Sequence, residues 1–367
     1  MSKKLKIALI TSAHQDRDVR IFQKEAVSLA EAGFDVTHLV PNSESRVELG
    51  VTVISFDFPV RSRFKRMFFL VREVYKQALK IDADIYHLHD PELLRIALKL
   101  KKKGKKVIYD AHEDVPRDIM TKEYIPKSLR KLVSKRFEKF ENKIAKRLDG
   151  IITATPFIRD RFLKINQNTI DINNYPLQSE IDLGADSSNI RENFVCYIGV
   201  LNKIRGINEM VLAAGIAETP LKLAGEFRDG SRAALQNLPA WKYCEELGLI
   251  NRKKALEIKQ RALAGLVIFY PVANHVDAQP NKIFEYMAAG LPVIGSNFPL
   301  WKKIIEEGKC GLCVDPLSPQ QIADAIKFLA ANPGQAITMG ENGQRLVKEV
   351  YNWDIEKKKL ITFYNTL

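Results

Sequence analysis

The feature that most constrains this chain is an alternation of short apolar runs with amphipathic stretches, carried through twice. Apolar runs at 6–12, 36–40, 85–88, 106–109 and 150–154 read as buried strands. Helical spacing fills the intervals at 18–32, 64–80, 92–103 and 127–147. In the first of these, Ile21, Phe22, Ala26, Leu29 and Ala30 share one face, and Gly33 stops the helix. Near residue 173 the alternation breaks, and 178–192 is polar with Gly, Ser, Asn and Asp, the composition of a linker. It then resumes, with strands at 194–198, 221–224, 266–270 and 292–296 between helices at 206–218, 252–262, 281–289 and 319–331. Strands that alternate with helices form parallel sheets, because parallel neighbours need a crossover. The expected fold is therefore α/β, with two doubly wound, Rossmann-like domains facing a central cleft at the C-terminal ends of their strands. The boundaries read as 1–176, a linker at 177–192, 193–350, and a C-terminal helix at 351–367 expected to return to the N-terminal domain.

Charge separates the two halves. Residues 1–176 hold 35 Lys and Arg against 23 Asp and Glu, while the remaining 191 hold 22 against 21. The field of the whole chain, +13, thus comes from the first half. The basic stretches 61–80 and 125–147 carry apolar residues at helical spacing, which suits an anionic membrane surface. No nucleic-acid motif accompanies the charge, so nucleic acid is not an expected partner. No run of eighteen apolar residues occurs, which excludes a spanning helix. The basic start runs into only about five apolar residues, a first strand rather than a signal peptide. The expected location is cytoplasmic, peripheral on the inner face of the membrane if the basic stretches engage it. Four cysteines give no disulfide framework, and Cys310-Gly-Leu-Cys313 lacks the second pair that a metal knuckle needs.

Two segments carry chemistry. In Tyr197-Ile-Gly-Val-Leu-Asn-Lys-Ile-Arg-Gly206 a strand enters a turn at Gly199, followed by Lys203, Arg205 and a second glycine at a helix start. Close backbone approach, free N–H groups and positive charge are what a diphosphate requires. In Asp277-Ala-Gln-Pro-Asn-Lys-Ile-Phe-Glu285 two carboxylates stand eight residues apart, one before a helix and one inside it. The helix start near Asn281 and Lys282 presents N–H groups to an anion, Glu285 suits ribose hydroxyls, and Asp277 suits sugar hydroxyls. The pairs Asp16/Asp18 and Asp82/Asp84 have the spacing of a divalent-metal site, but they read as helix-capping and strand-edge acids.

These pieces resemble retaining glycosyltransferase family four, of the two-domain GT-B architecture. The stretch from Asn281 through Gly290-Leu-Pro-Val-Ile294 is similar to that family's donor-site helix, and Gly199 to Gly206 to its phosphate loop. Leu221-Lys-Leu-Ala-Gly225, Leu247-Gly-Leu-Ile-Asn-Arg252 and Tyr351-Asn-Trp353 extend the likeness to nearly the whole chain. Arg20-Ile-Phe, His87-Leu-His-Asp-Pro-Glu92 and Tyr109-Asp-Ala-His-Glu-Asp-Val-Pro116 look like a subgroup of bacterial surface-polysaccharide assembly. The chain departs from the family at Asp277, where a Glu is usual, and at Val200 and Arg205, where Arg and Lys are.

The resemblance implies transfer of a sugar from a nucleoside diphosphate sugar to a hydroxyl of a glycan or lipid-linked glycan, with retention and without a metal or other cofactor. His112 and Asp277 would act at the transferred sugar. Gly199, Lys203, Arg205, Gln279, Asn281, Lys282 and Glu285 would hold the donor, and His14, His89 and Asp90 the acceptor. A nucleotide-sugar epimerase of the same architecture, or a non-catalytic glycan- or membrane-binding module, would use the same features.

Overall fold

The computed structural model describes residues 4–59, 66–122, 124–185 and 191–367. Residues 61–65, which open the basic stretch 61–80, lie outside the described residues. The chain divides into two compact units, Met1–Asn174 with Trp353–Leu367, and Tyr175–Asn352.

The first unit is built on β1 Lys6–Ile10, β2 Asp35–Pro41, β3 Arg46–Glu48, β4 Val51–Phe56, β5 Ile85–Leu88, β6 Lys106–Ala111, β7 Gly150–Thr153 and β8 Thr169–Asp171. They form one sheet in the order β3-β4-β2-β1-β5-β6-β7-β8. Every pairing is parallel except the β3–β4 hairpin, with Arg46 opposite Val53. Continuous apolar runs such as Ile7–Ile10 are buried because helices cover both faces. The chain leaves β1 toward β2 and returns to place β5 on the other side of β1, so the winding reverses between β1 and β5.

The second unit contains β9 Val195–Ile198, β10 Leu221–Ala224, β11 Cys244–Gly248, β12 Ala264–Val267, β13 Val293–Ser296 and β14 Gly311–Val314. Its all-parallel order is β11-β10-β9-β12-β13-β14, and the winding reverses between β9 and β12. The C-terminal ends of strands at such a reversal leave a crevice that loops do not fill.

Several elements differ from the sequence reading. The stretch 178–192 is not a plain linker: Gln178–Ala185 is a helix, and Ile181 is fully buried in the core of the second unit. One buried isoleucine among polar residues is too sparse a signal for a helix face. The first helix begins as a wide π-type turn, Val19–Ala26, before Val27–Glu31 continues as α-helix. That winding buries Arg20, Lys24 and Glu25 beside Ile21 and Phe22, where a regular period would have put polar residues in water. Strands β3, β4, β8 and β11 and the helix Pro333–Glu349 add to the elements read from the sequence. The third apolar run of the second half is β12 at Ala264–Val267.

Candidate active site

In the second unit, Gly199 ends β9 with φ 145°, a backbone state open to glycine. Its N–H donates to the carbonyl of Ala224 at 2.7 Å. A Cβ here would stand 2.5 Å from both Cε and Nζ of Lys282, so the lysine side chain lies directly over the turn. Lys282 Nζ also sits 5.6 Å from the Tyr197 ring centre. Arg205 reaches the same place, with its guanidinium 5.4 Å from the Phe269 ring, and hydrogen-bonds Tyr197. Among the described residues neither cation has a carboxylate within ion-pair distance. Burial pulls the Lys282 amine down to about 8, and the nearby charges of Arg205 and Lys259 push the same way against Glu285. Two like charges in a half-buried crevice, with Glu285 only partly offsetting Lys282, favour an anion there.

The turn is fixed at its other end by Gly206, where φ is 73° and a Cβ would lie 1.8 Å from the carbonyl oxygen of Ile268. Between the glycines, the Asn202 side chain accepts from the Arg205 N–H at 3.1 Å. Asp229 accepts from the Lys203 N–H at 2.6 Å. The Lys203 side chain is exposed, so the cation that covers Gly199 is Lys282, from the helix Asn281–Ala288. Pro280 opens that helix and no side chain caps it. Asn281 is exposed at its first turn, and Glu285, one turn on, faces Lys259 at 3.7 Å. Asp277 is half-buried on the preceding loop, and Gln279 Oε1 is buried without a hydrogen-bond partner. The sequence reading omitted Glu209, on the helix that follows Gly206. Its Oε1 accepts from Tyr270 Oη at 2.7 Å while its Oε2 is buried and unpartnered. Its signal was local, an acid in the first turn after the second glycine.

In the first unit, four of the six histidines form a file at the ends of β1, β5 and β6. His14 and His112 have ring centres 5.0 Å apart. His112 Nε2 is 3.2 Å from His89 Nδ1, the His89 and His87 rings are 4.2 Å apart, and His87 Nδ1 meets Tyr364 Oη at 2.9 Å. Exposure falls inward along this file, from 32% of the His14 side chain to 17% of His112 and none of His89 or His87. Beneath it, Arg20 donates to both oxygens of Asp110, at 3.0 and 2.9 Å, and to the carbonyl of Ile172 at 2.7 Å. Asp110 Oδ2 lies 3.3 Å from His112 Nε2.

Titration in this cluster follows its partners. Against the cost of burial, Arg20 and then His112 hold Asp110 well below the usual carboxylate range. Burial, then the charge of Asp110, lifts Glu25 well above it, although Arg20 lies 3.1 Å away. Burial lowers His89 to about 3 and His87 well below its ordinary value. A hydrogen bond to Asp18 raises His14.

Two of the residues expected at the acceptor, His89 and Asp90, are buried. His89 is enclosed and stands directly behind His112. The Oδ2 of Asp90 accepts from Thr11 Oγ1 at 2.8 Å and from the Ser12 N–H at 2.6 Å, so this acid ties β5 to the turn after β1. Its other oxygen stands 3.5 Å from His14. His14 and His112 remain the accessible members. Glu25, His87, His89 and Asp110 present ligand atoms within 4.8 Å of one another, but the Arg20 guanidinium already lies against both carboxylates. Asp82 and Asp84 sit at the opposite ends of the strands, just before β5, bound to Lys105 and to the Lys6 N–H. Asp16 pairs with Arg46, and Asp18 caps the first helix.

The family model described as Glycosyltransferase Family 4 matches residues 20–172, and that described as Glycosyl transferases group 1 matches residues 182–346. Together the two models cover most of the chain, which carries a family-four glycosyltransferase domain followed by a group-one glycosyltransferase domain. The first match takes in His87, His89 and His112 of the histidine file, and the second the phosphate-type turn. Over 130 residues the chain is 34% identical to a D-inositol 3-phosphate glycosyltransferase of Corynebacterium urealyticum, covering 34% of this chain and 30% of that one. It spans less than a third of the length of the curated relatives that it matches at 30% identity or more. Its fold is that of sucrose-phosphate synthase from Thermosynechococcus elongatus, with TM-score 0.76, 18% identity and 99% of each chain covered. The Anabaena protein HepE in complex with UDP-glucose is similar at TM-score 0.70 and 14% identity, covering 99% of this chain and 100% of that one.

Proposed function

We propose that the glycosyltransferase moves a sugar from a nucleoside diphosphate sugar to a hydroxyl of a growing or lipid-linked glycan in surface-polysaccharide assembly, with retention at the anomeric carbon. The observation that carries this reading is the pair of cations, Lys282 and Arg205, at the Gly199 turn, neither within ion-pair distance of a carboxylate among the described residues. Breaking the bond between sugar and diphosphate develops negative charge on the leaving oxygen. Cations already fixed in a crevice stabilise that charge without reorganising. Lys282, Arg205 and the uncapped N–H groups at Asn281 supply it, and no metal is needed for the purpose. Glu285 holds the ribose, Asp277 and Gln279 meet the sugar, and Lys203 stands at the rim of the turn. His112 keeps the contact with the transferred sugar that the family resemblance gives it, with Asp110 fixing its ring. HepE, crystallised with UDP-glucose, makes uridine diphosphate the first nucleotide to try.

Titration calorimetry with UDP and with uridine tests the site. Lys282→Ala and Arg205→Ala should each weaken UDP by roughly 1.5–3 kcal/mol, the worth of one charge-assisted hydrogen bond, and leave uridine nearly unchanged. Equal losses for both ligands overturn the assignment. The anomeric configuration of the transferred sugar, read by NMR from its coupling constants, decides retention.

A further inference from the structure

The helix Lys127–Ala145 is attached to the first unit along one face only. Ser134 Oγ donates to the carbonyl of Pro116 at 2.7 Å, Glu138 pairs with Arg117, and Glu141 with Arg161 at 2.8 Å. Ile144 and Ala145 are buried at its end. These positions, spaced by three or four residues, define the inward face. The rest of the helix is in solvent, and it is divided lengthwise. Leu129, Leu132, Val133 and Phe140 run along one flank with 48%, 48%, 37% and 36% of their surface exposed. Lys131, Lys135, Lys139 and Lys143 recur every fourth residue along the other, all exposed. None of these four lysines is within ion-pair distance of a carboxylate among the described residues. Next to the helix start, Arg130 binds the carbonyls of Ile125 and Met120 at 2.8 and 3.3 Å. Those bonds bring two further exposed apolar residues alongside, Met120 and Tyr124.

An exposed leucine alone needs no explanation, but a row of them beside a row of unpaired lysines does. Surface helices ordinarily place charge over the whole outward arc. We propose that this face docks the protein on an anionic membrane surface, with the apolar flank entering the headgroup boundary and the lysines meeting lipid phosphates. Charge complementarity selects this occupant. The lysines want anions in a layer, and the adjoining apolar flank wants a boundary with hydrocarbon, which only a lipid surface offers together. No helix among the described residues is long and apolar enough to cross a bilayer, so the contact is one of adsorption. Docking of this kind does not depend on the proposed sugar transfer.

Sedimentation of the full chain with vesicles tests it. Vesicles of phosphatidylcholine with one-third phosphatidylglycerol should bind the protein at low salt and release it as salt rises, whereas pure phosphatidylcholine should bind poorly. Each engaged basic residue multiplies partitioning about fivefold, so Lys131→Glu with Lys135→Glu and Lys139→Glu should reduce binding at least a hundredfold. Leu129→Ser with Leu132→Ser and Phe140→Ser should also reduce it at least tenfold while every charge remains. Circular dichroism and UDP affinity report whether each variant is folded. Equal binding to both vesicle types, or no loss in either folded triple variant, overturns the proposal. So does a wild-type dimer in size-exclusion chromatography that the leucine variant abolishes, since a second copy would then cover the face.

Discussion

At the residue scale, Lys282 is subject to two opposed requirements. Its amine titrates near 8, below the ordinary lysine value, because the folded state encloses it beside other cations. Below pH 8 it is protonated both folded and unfolded, and the folded state bears the cost, about 3 kcal/mol for a shift of this size. Between 8 and the unfolded value the unfolded chain binds the extra proton, so this group's contribution to stability improves as pH rises. Diphosphate binding needs the protonated amine and should change the opposite way, weakening as pH rises through 8. Titrations of UDP at pH 6.5 to 9.5 should show that decline in the wild type. Lys282→Met should flatten it, and an unchanged slope in that variant would transfer the titration to another group. The glycine turn and the helix that meet at this residue were readable in the sequence, and so was each string around Arg20, His89 and His112. Their convergence was not. Whether Lys203 or Lys282 covers Gly199 depends on a side chain crossing between elements 83 positions apart, and no local pattern records that.

At the scale of elements, what was legible is what has a period. Long amphipathic helices and apolar central strands declared themselves. The edge strands β3, β8 and β11 are three to five residues long and partly exposed, so neither alternation nor an apolar run marks them. The buried charges of the first helix defeat periodicity from the other direction, since Arg20 and Glu25 are inside for the sake of each other and Asp110. The turn from Gly199 to Gly206 was recognisable because both glycines are required by backbone geometry rather than by packing. Gly206→Ala would set a Cβ against a backbone oxygen that cannot withdraw, at a positive φ. It should cost roughly 2–4 kcal/mol of stability in a thermal melt and blunt UDP binding along with it. Gly230→Ala is the matched control, since nothing stands within 4 Å of its added methyl. Equal melting of the two variants would mean that the turn is looser than its dihedrals indicate.

For the molecule as a whole, the chain crosses from the first unit to the second near Asn174 and comes back at Trp353. The last helix, Trp353–Thr366, is consequently part of the first unit's core. Trp353 Nε1 donates to Ser28 Oγ at 2.9 Å, Glu356 accepts from the Asn173 N–H at 2.7 Å, and Tyr364 Oη meets His87. Phe363 packs so closely on β7 that a Cβ on Gly150 would lie 2.5 Å from its ring. Deleting residues 353–367 would remove four large buried side chains, Trp353, Leu360, Phe363 and Tyr364, and expose the apolar surface of the first unit that they cover. It would also leave His87 and the Asn173 N–H unpartnered in the interior. Each large truncation of this kind costs about 2–5 kcal/mol, and a unit whose total stability is roughly 5–15 kcal/mol does not survive four together. The segment Tyr175–Asn352 loses none of its own core. Scanning calorimetry of the deletion variant should therefore lose the transition that UDP leaves unmoved and keep the one that UDP raises. The converse, a surviving UDP-insensitive transition with the UDP-sensitive one gone, would place the last helix in the service of the nucleotide unit instead.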